Sequence, residues 1–318
     1  MGIRLFALTF ALAFSTSGAA DCLNDMRDSV FADGVADIRV SIGYSDHPGS
    51  HYIGTPREPS VAHDAEIAKG LGNELAKMGF RALSDDEVRR SPLKFSDGVR
   101  ARVKVYRKDL ESGRSSYVSI MTSANSPDHE RNVGIFGGQG AASKASLEFM
   151  RASASADVFL YLGHSRKVYG PDPNPPKAVP RRPTTEDPYV SNYVVQYQSY
   201  IANGSGFFEA LRKSEDPAKL VGLLSCSTNV FEPTLREAVC RRPATRALVL
   251  STRPTETTVD AADPSEDVKA AAEIVKGVIG RDSTQDFNRK LKACSNGAYV
   301  AETIGGTHVP ASKRPSKD

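Results

Sequence analysis

Three short apolar runs constrain this chain more than anything else in it. Asp157–Gly163 (DVFLYLG), Leu220–Ser225 (LVGLLS) and Arg246–Ser251 (RALVLS) carry few polar side chains. A strand with one wet face alternates polar and apolar residues, so runs like these need cover on both faces. That is the environment of a parallel sheet between helical layers. The segments around them carry helical periodicity or capping chemistry. Asp64–Phe80 places Ile67, Leu71, Leu75 and Met78 on one face, and further helices are expected at 141–154, 193–213, 232–240, 266–279 and 284–294. Strands are also expected at 37–43 and 298–304. Ala101–Arg107 and Ser116–Thr122 read as a hairpin, with Gly113 in the turn free to take positive φ. The expected fold class is α/β: a mostly parallel sheet with helices on both faces, plus a β-hairpin insertion.

The chain has 318 residues, with Lys+Arg 41 against Asp+Glu 38. So mild a balance, with no dense basic block before the last residues, argues against nucleic-acid binding. The first twenty residues read as a signal peptide. Arg4 gives a positive start, Leu5–Phe14 a short apolar run, and Gly18-Ala19-Ala20 small residues at a cleavage point. The run is too short for a permanent span of about 30 Å, and no later segment is longer. The expectation is a secreted or periplasmic protein with one domain over 21–304, a polar, basic tail over 305–318 and no membrane span after cleavage. From Gly170 to Pro188 the chain is Pro-rich, with Lys177, Arg181 and Arg182 at its crest, which predicts a long loop rather than a helix or central strand.

Two of the apolar runs end in reactive side chains. His164 follows the first directly after Gly163, and Cys226 follows the second directly after Ser225. If those strands are parallel neighbours, about 4.8 Å apart, the imidazole and the thiol leave the same edge of the sheet within reach of each other. The imidazole can then take the thiol proton, making a sulfur nucleophile with its base. A helix soon after Cys226 would help hold negative charge there.

These segments, FLYLGHS (Phe159–Ser165) and LVGLLSCST (Leu220–Thr228), resemble the caspase-like (clan CD) cysteine peptidase superfamily, including bacterial caspase-like domains. The resemblance implies a caspase-like α/β fold, Cys226 as nucleophile, His164 as general base and acid, and a protein or peptide substrate without cofactor or metal. Backbone amides near Gly163, Ser165 and Cys226 are the oxyanion-hole candidates. The family usually has Gly after the His, where this chain has Ser165. That departure supports an alternative: an inactive caspase-like binding or scaffold protein. The Pro-rich loop leaves the sheet just after His164 and would border the site as a lid, a specificity loop or a processing site.

Other motifs weigh less. Gly138-Gln139-Gly140 opens a helix but lacks the acidic partner of a dinucleotide site on the next strand. His47, His51 and His63, with Asp46 and Asp64, form a loose cluster whose H-x-x-x-H spacing is interrupted by Pro48-Gly49. Among the four cysteines, a Cys240–Cys294 bridge with Cys226 free is the expected pairing, and Cys22 lies near a flexible start.

Overall fold

A computed structural model describes residues 22–43, 46–47, 61–62, 64–125, 139–163, 177–180, 193–196, 206–225, 228–239, 246–251, 264–280 and 282–304. The elements in the first half are α1 (Cys22–Val30), β1 (Val35–Ile42), β2 (Asp46–His47), β3 (Val61–Ala62), α2 (Asp64–Lys77), β4 (Arg81–Ala82), α3 (Asp85–Arg90), α4 (Asp97–Arg100), β5 (Lys104–Asp109), β6 (Ser115–Thr122) and α5 (Gln139–Ala152). The second half has β7 (Val158–Leu162), β8 (Lys177–Pro180), β9 (Tyr193–Gln196), α6 (Phe207–Lys213), β10 (Leu220–Leu224), α7 (Glu232–Val239), β11 (Arg246–Ser251), α8 (Glu266–Ile279), α9 (Thr284–Cys294) and β12 (Tyr299–Ile304).

Eight strands form one sheet in the order β12-β11-β10-β7-β1-β6-β5-β4. The five central strands, β11 to β6, pair in parallel. Antiparallel strands close both edges: β12 on β11, and β5 and β4 beyond β6. The chain is thus α/β with a mostly parallel sheet. β5 and β6 pair as an antiparallel hairpin around Gly113 at φ 77°, and β6 also pairs with β1, so the hairpin is built into the main sheet.

The two faces of the sheet are both buried. On one face, Ile38, Val40, Ile42, Leu160, Leu162, Leu220, Leu224 and Val249 pack under α1, α2, α8 and α9, through residues such as Met26, Leu71, Ile274 and Phe287. On the other, Phe159, Tyr161, Val221, Leu223 and Leu248 pack under α6 and α7, through Phe207, Leu211, Leu235 and Val239. All five side chains of β7, and Val221, Leu223 and Leu224 of β10, are fully covered. Each buried aliphatic or aromatic side chain is worth about 1.5–3 kcal/mol on transfer from water, so these two strands anchor the sandwich. The helices begin where side chains cap them: Ser265 accepts from the Val268 amide at the start of α8, and Ser283 from the Asp286 amide at the start of α9. No helix among the described residues is long and apolar enough to cross a membrane.

Three expectations need correction. The helix expected from Tyr193 begins only at Phe207; Tyr193–Gln196 is a strand, paired antiparallel with Lys177–Pro180 inside the Pro-rich segment. Tyr193, Val194 and Val195 are aromatic or β-branched, and such side chains favour a pleated ribbon over a helix. Cys22 opens helix α1 rather than lying in a flexible start. The Cys240–Cys294 bridge is absent: Cys294 is a free thiol. It ends α9 on one face of the sheet, whereas α7, which runs up to Cys240, packs on the other. Residues 1–21, Cys240, the rest of the Pro-rich segment and the tail from 305 lie outside the described residues.

At the amino edge of the sheet, charged groups join the strand starts. Asp157 accepts from the Asp37 amide at 2.9 Å and faces Lys219 at 3.2 Å; Lys219 also pairs with Asp216 at 2.6 Å. The Arg39 guanidinium donates to both oxygens of Asp37 and lies 5.3 Å from the Phe95 ring centroid. Burial pushes the Asp157 carboxyl up to about 6, against the pull of Lys219 and the amide. The folded chain therefore holds a proton there that the unfolded chain has lost, and stability falls as pH rises from the unfolded value near 3.8 through about 6. Thermal unfolding of Asp157→Asn should show a flatter dependence between those pH values than the unsubstituted protein. Parallel profiles would contradict the assignment.

Candidate active site

In chain order the five parallel strands run 2-1-3-4-5, so the direction of winding reverses between β1 and β7. Open α/β sheets bind ligands outside the carboxyl ends of their strands at such a switch point. β7 and β10 are neighbours next to it. They are parallel and in register from Val158↔Leu220 to Leu162↔Leu224. Gly163 and Ser225 continue the two strands. His164, Ser165 and Cys226 come next in the chain and lie outside the described residues. The described residues of these two strands thus end at Gly163 and Ser225.

Two glycines shape this edge. Gly43 donates from its amide to the Leu162 carbonyl at 2.7 Å, tying the end of β1 to the end of β7. A Cβ on Gly43 would sit 1.9 Å from the Tyr161 hydroxyl oxygen, so the buried Tyr161 ring ends against the Gly43 backbone. Gly163 has φ 124°, and a Cβ there would meet the Gly43 carbonyl at 3.1 Å. Few L side chains tolerate that conformation, whose cost is about 1–3 kcal/mol. A glycine before His164 is thus required by the close approach of β1 and β7.

Beside this pair, the loop after β6 is fastened to the same edge. Ser123 donates from its amide and its hydroxyl to the Ile42 carbonyl, at 3.1 and 2.7 Å, and its hydroxyl lies 3.0 Å from that of Ser146 on α5. Fully buried Asp64, the first residue of α2, accepts from the Ser123 and Ala124 amides at 3.1 and 2.7 Å. Its carboxylate is satisfied by backbone N–H groups and the start of its own helix, which is a structural role. No cluster of metal-ligating side chains occurs among the described residues. His51 and His63 lie outside the described residues, as does the segment before Gln139 that carries Gly138.

After β10 the described residues resume at Thr228. Thr228 is fully buried; its hydroxyl donates to the Leu223 carbonyl at 2.7 Å and accepts from the Ser251 amide at 2.9 Å. A single turn of 3₁₀ helix, Thr228–Phe231, then leads into α7. Ser225 is also fully buried, and its hydroxyl has no hydrogen-bond partner among the described residues. Sequence reasoning missed Gly43, Tyr161 and Thr228 as parts of this edge. Tyr161, a polar-tipped ring near the end of an apolar strand, was the one signal available.

Two cavities among the described residues lie away from this edge. One of about 680 Å³ is bordered by Arg27, Phe31, Leu110, Arg114 and Ile279, and one of about 650 Å³ by Lys77, Lys108, Glu273, Lys276 and Cys294. Neither lining holds a nucleophile with a base. Burial pushes the Cys294 thiol up to about 11, which leaves it protonated and unreactive near neutral pH. The segments that flank the carboxyl edge lie largely outside the described residues.

No protein-family model, no curated protein and no solved structure matches the chain. The functional reading therefore stands on the site.

Gly163→Ala should lower the free energy of unfolding by about 1–3 kcal/mol. Gly43→Ala should do so through overpacking against Tyr161, by a similar amount of about 1–3 kcal/mol. Gly98→Ala, where a Cβ meets nothing within 4 Å, should be neutral or stabilising. Urea denaturation of the three variants checks the contrast, and equal midpoints would contradict the geometry.

Proposed function

We propose that this protein is an exported cysteine-type hydrolase, a caspase-like peptidase acting outside the cytoplasm on protein or peptide substrates. Cys226 is the nucleophile and His164 its general base and acid. The observation that carries the reading is the in-register parallel pairing of β7 with β10. The chain leaves these two strands at neighbouring points of one edge, two residues past Leu162 as His164 and two past Leu224 as Cys226. Strand spacing of about 4.8 Å brings side chains so placed within reach of one bound peptide. The hairpin at the β5 side is an elaboration of the caspase-like sheet.

The reaction divides into two acyl transfers. His164 takes the thiol proton of Cys226, and the sulfur attacks the scissile carbonyl carbon. The resulting oxyanion is stabilised by backbone amides near Gly163, Ser165 and Cys226. Collapse breaks the C–N bond, and His164 gives its proton to the leaving amine. Water, deprotonated by His164, then attacks the thioester and releases the acid and the free thiol. No metal or cofactor enters any of these steps.

A second reading, an inactive caspase-like scaffold, draws on Ser165 where the family has Gly. A thiol-reactive peptide probe separates the two. The catalytic reading expects labelling at Cys226, loss of labelling in Cys226→Ala, and labelling slowed roughly 10²–10⁴-fold in His164→Ala. Labelling that ignores His164, or that does not reach Cys226, overturns it and leaves the scaffold.

A further inference from the structure

We propose that Thr228 is a positioning residue for Cys226, acting as a hydroxyl wedge between β10 and β11. The proposal rests on the catalytic reading above and deepens it. In an uninterrupted parallel ladder, amides and carbonyls of neighbouring strands bond directly. At the carboxyl end of this pair a side chain intervenes: the Ser251 amide donates to the Thr228 hydroxyl, which donates to the Leu223 carbonyl. The pairing registers show the consequence. β10 stays paired with β11 only to Leu223↔Leu250, but with β7 to Leu224↔Leu162. The wedge therefore parts β10 from β11 while its last rung stays on the strand that leads to His164.

The wedge also closes a short loop. Leu223 and Thr228 are joined through the hydroxyl, and Cys226 lies between them in the chain. Both hydrogen bonds are fully buried, so neither exchanges with water at low cost. Tying positions 223 and 228 together limits where the chain between them can go, and a nucleophile that must meet its base needs such a limit. The hydroxyl serves as donor and acceptor at once. Ser retains both functions at this position and Val neither.

The test compares Thr228→Val and Thr228→Ser with the unsubstituted full chain. Two readouts apply: the pH dependence of Cys226 alkylation by iodoacetamide, located by mass spectrometry, and the kcat and KM for a peptide substrate. Thr228→Val should raise the midpoint of the alkylation profile by about a unit as the thiolate loses its partner. It should lower kcat by about tenfold or more with KM little changed. Thr228→Ser should restore both. If Thr228→Val folds poorly, Thr228→Ala removes the same two bonds with less bulk and carries the same expectation. A lower melting temperature with an unchanged alkylation profile and kcat overturns the proposal and leaves the dyad standing. If the unsubstituted protein and His164→Ala share one alkylation profile, the dyad itself fails, and the wedge falls with it.

Discussion

The pairing of β7 with β10 is the interaction on which the rest of the structure depends. Their side chains are covered from both sides by helices, and they stand between the switch-point strand β1 and the strand β11 that continues the parallel run. Because both are apolar almost throughout, neither can serve as a surface strand without exposing several large side chains to water. Their register is held at both ends by polar contacts of different kinds. At the amino edge, Asp157 and Lys219, one residue before each strand, form an ion pair. At the carboxyl edge, the Gly43 amide bonds to Leu162 and the Thr228 hydroxyl to Leu223.

These polar clamps divide the labour of the fold. The amino-edge network, with Asp37, Arg39, Asp157, Lys219 and the exposed Asp216, is nearly balanced in charge, so it works as a fastener for the strand starts. The carboxyl edge is built differently. There the backbone comes close enough that glycine is needed at 43 and at 163, and hydroxyls rather than ion pairs tie the turns down. Beside these hydroxyls, the buried Asp64 carboxylate holds the Ser123 and Ala124 amides at the same edge.

Much of this was legible in the residues. β7, β10 and β11 could be read because an uninterrupted apolar run has one stable environment, and α8 and α9 because Ser265 and Ser283 stand directly before amphipathic stretches. Tyr193–Gln196 was misread because helical and extended patterns overlap over four residues, and the deciding preference of Val194 and Val195 is small. Helix α1 was missed because its buried Met26 and Val30 are spaced by polar residues and a buried Arg27, beside a leader-like segment. The Thr228 wedge and the Gly43–Tyr161 contact were not legible at all. Each is a meeting of residues far apart in the chain, and a threonine after a cysteine looks like any other until the neighbouring strand is in place. The expected placing of a histidine and a cysteine after adjacent strands depended only on strand order.

The central claim is that this strand order brings a thiol and an imidazole together. The most direct test is the distance from the Cys226 Sγ to the nearer His164 ring nitrogen in an experimental structure of the full chain. The account predicts a separation within about 5 Å, somewhat looser than a working hydrogen bond, as resting sites often are. A separation beyond about 7 Å, with both side chains ordered, would contradict it.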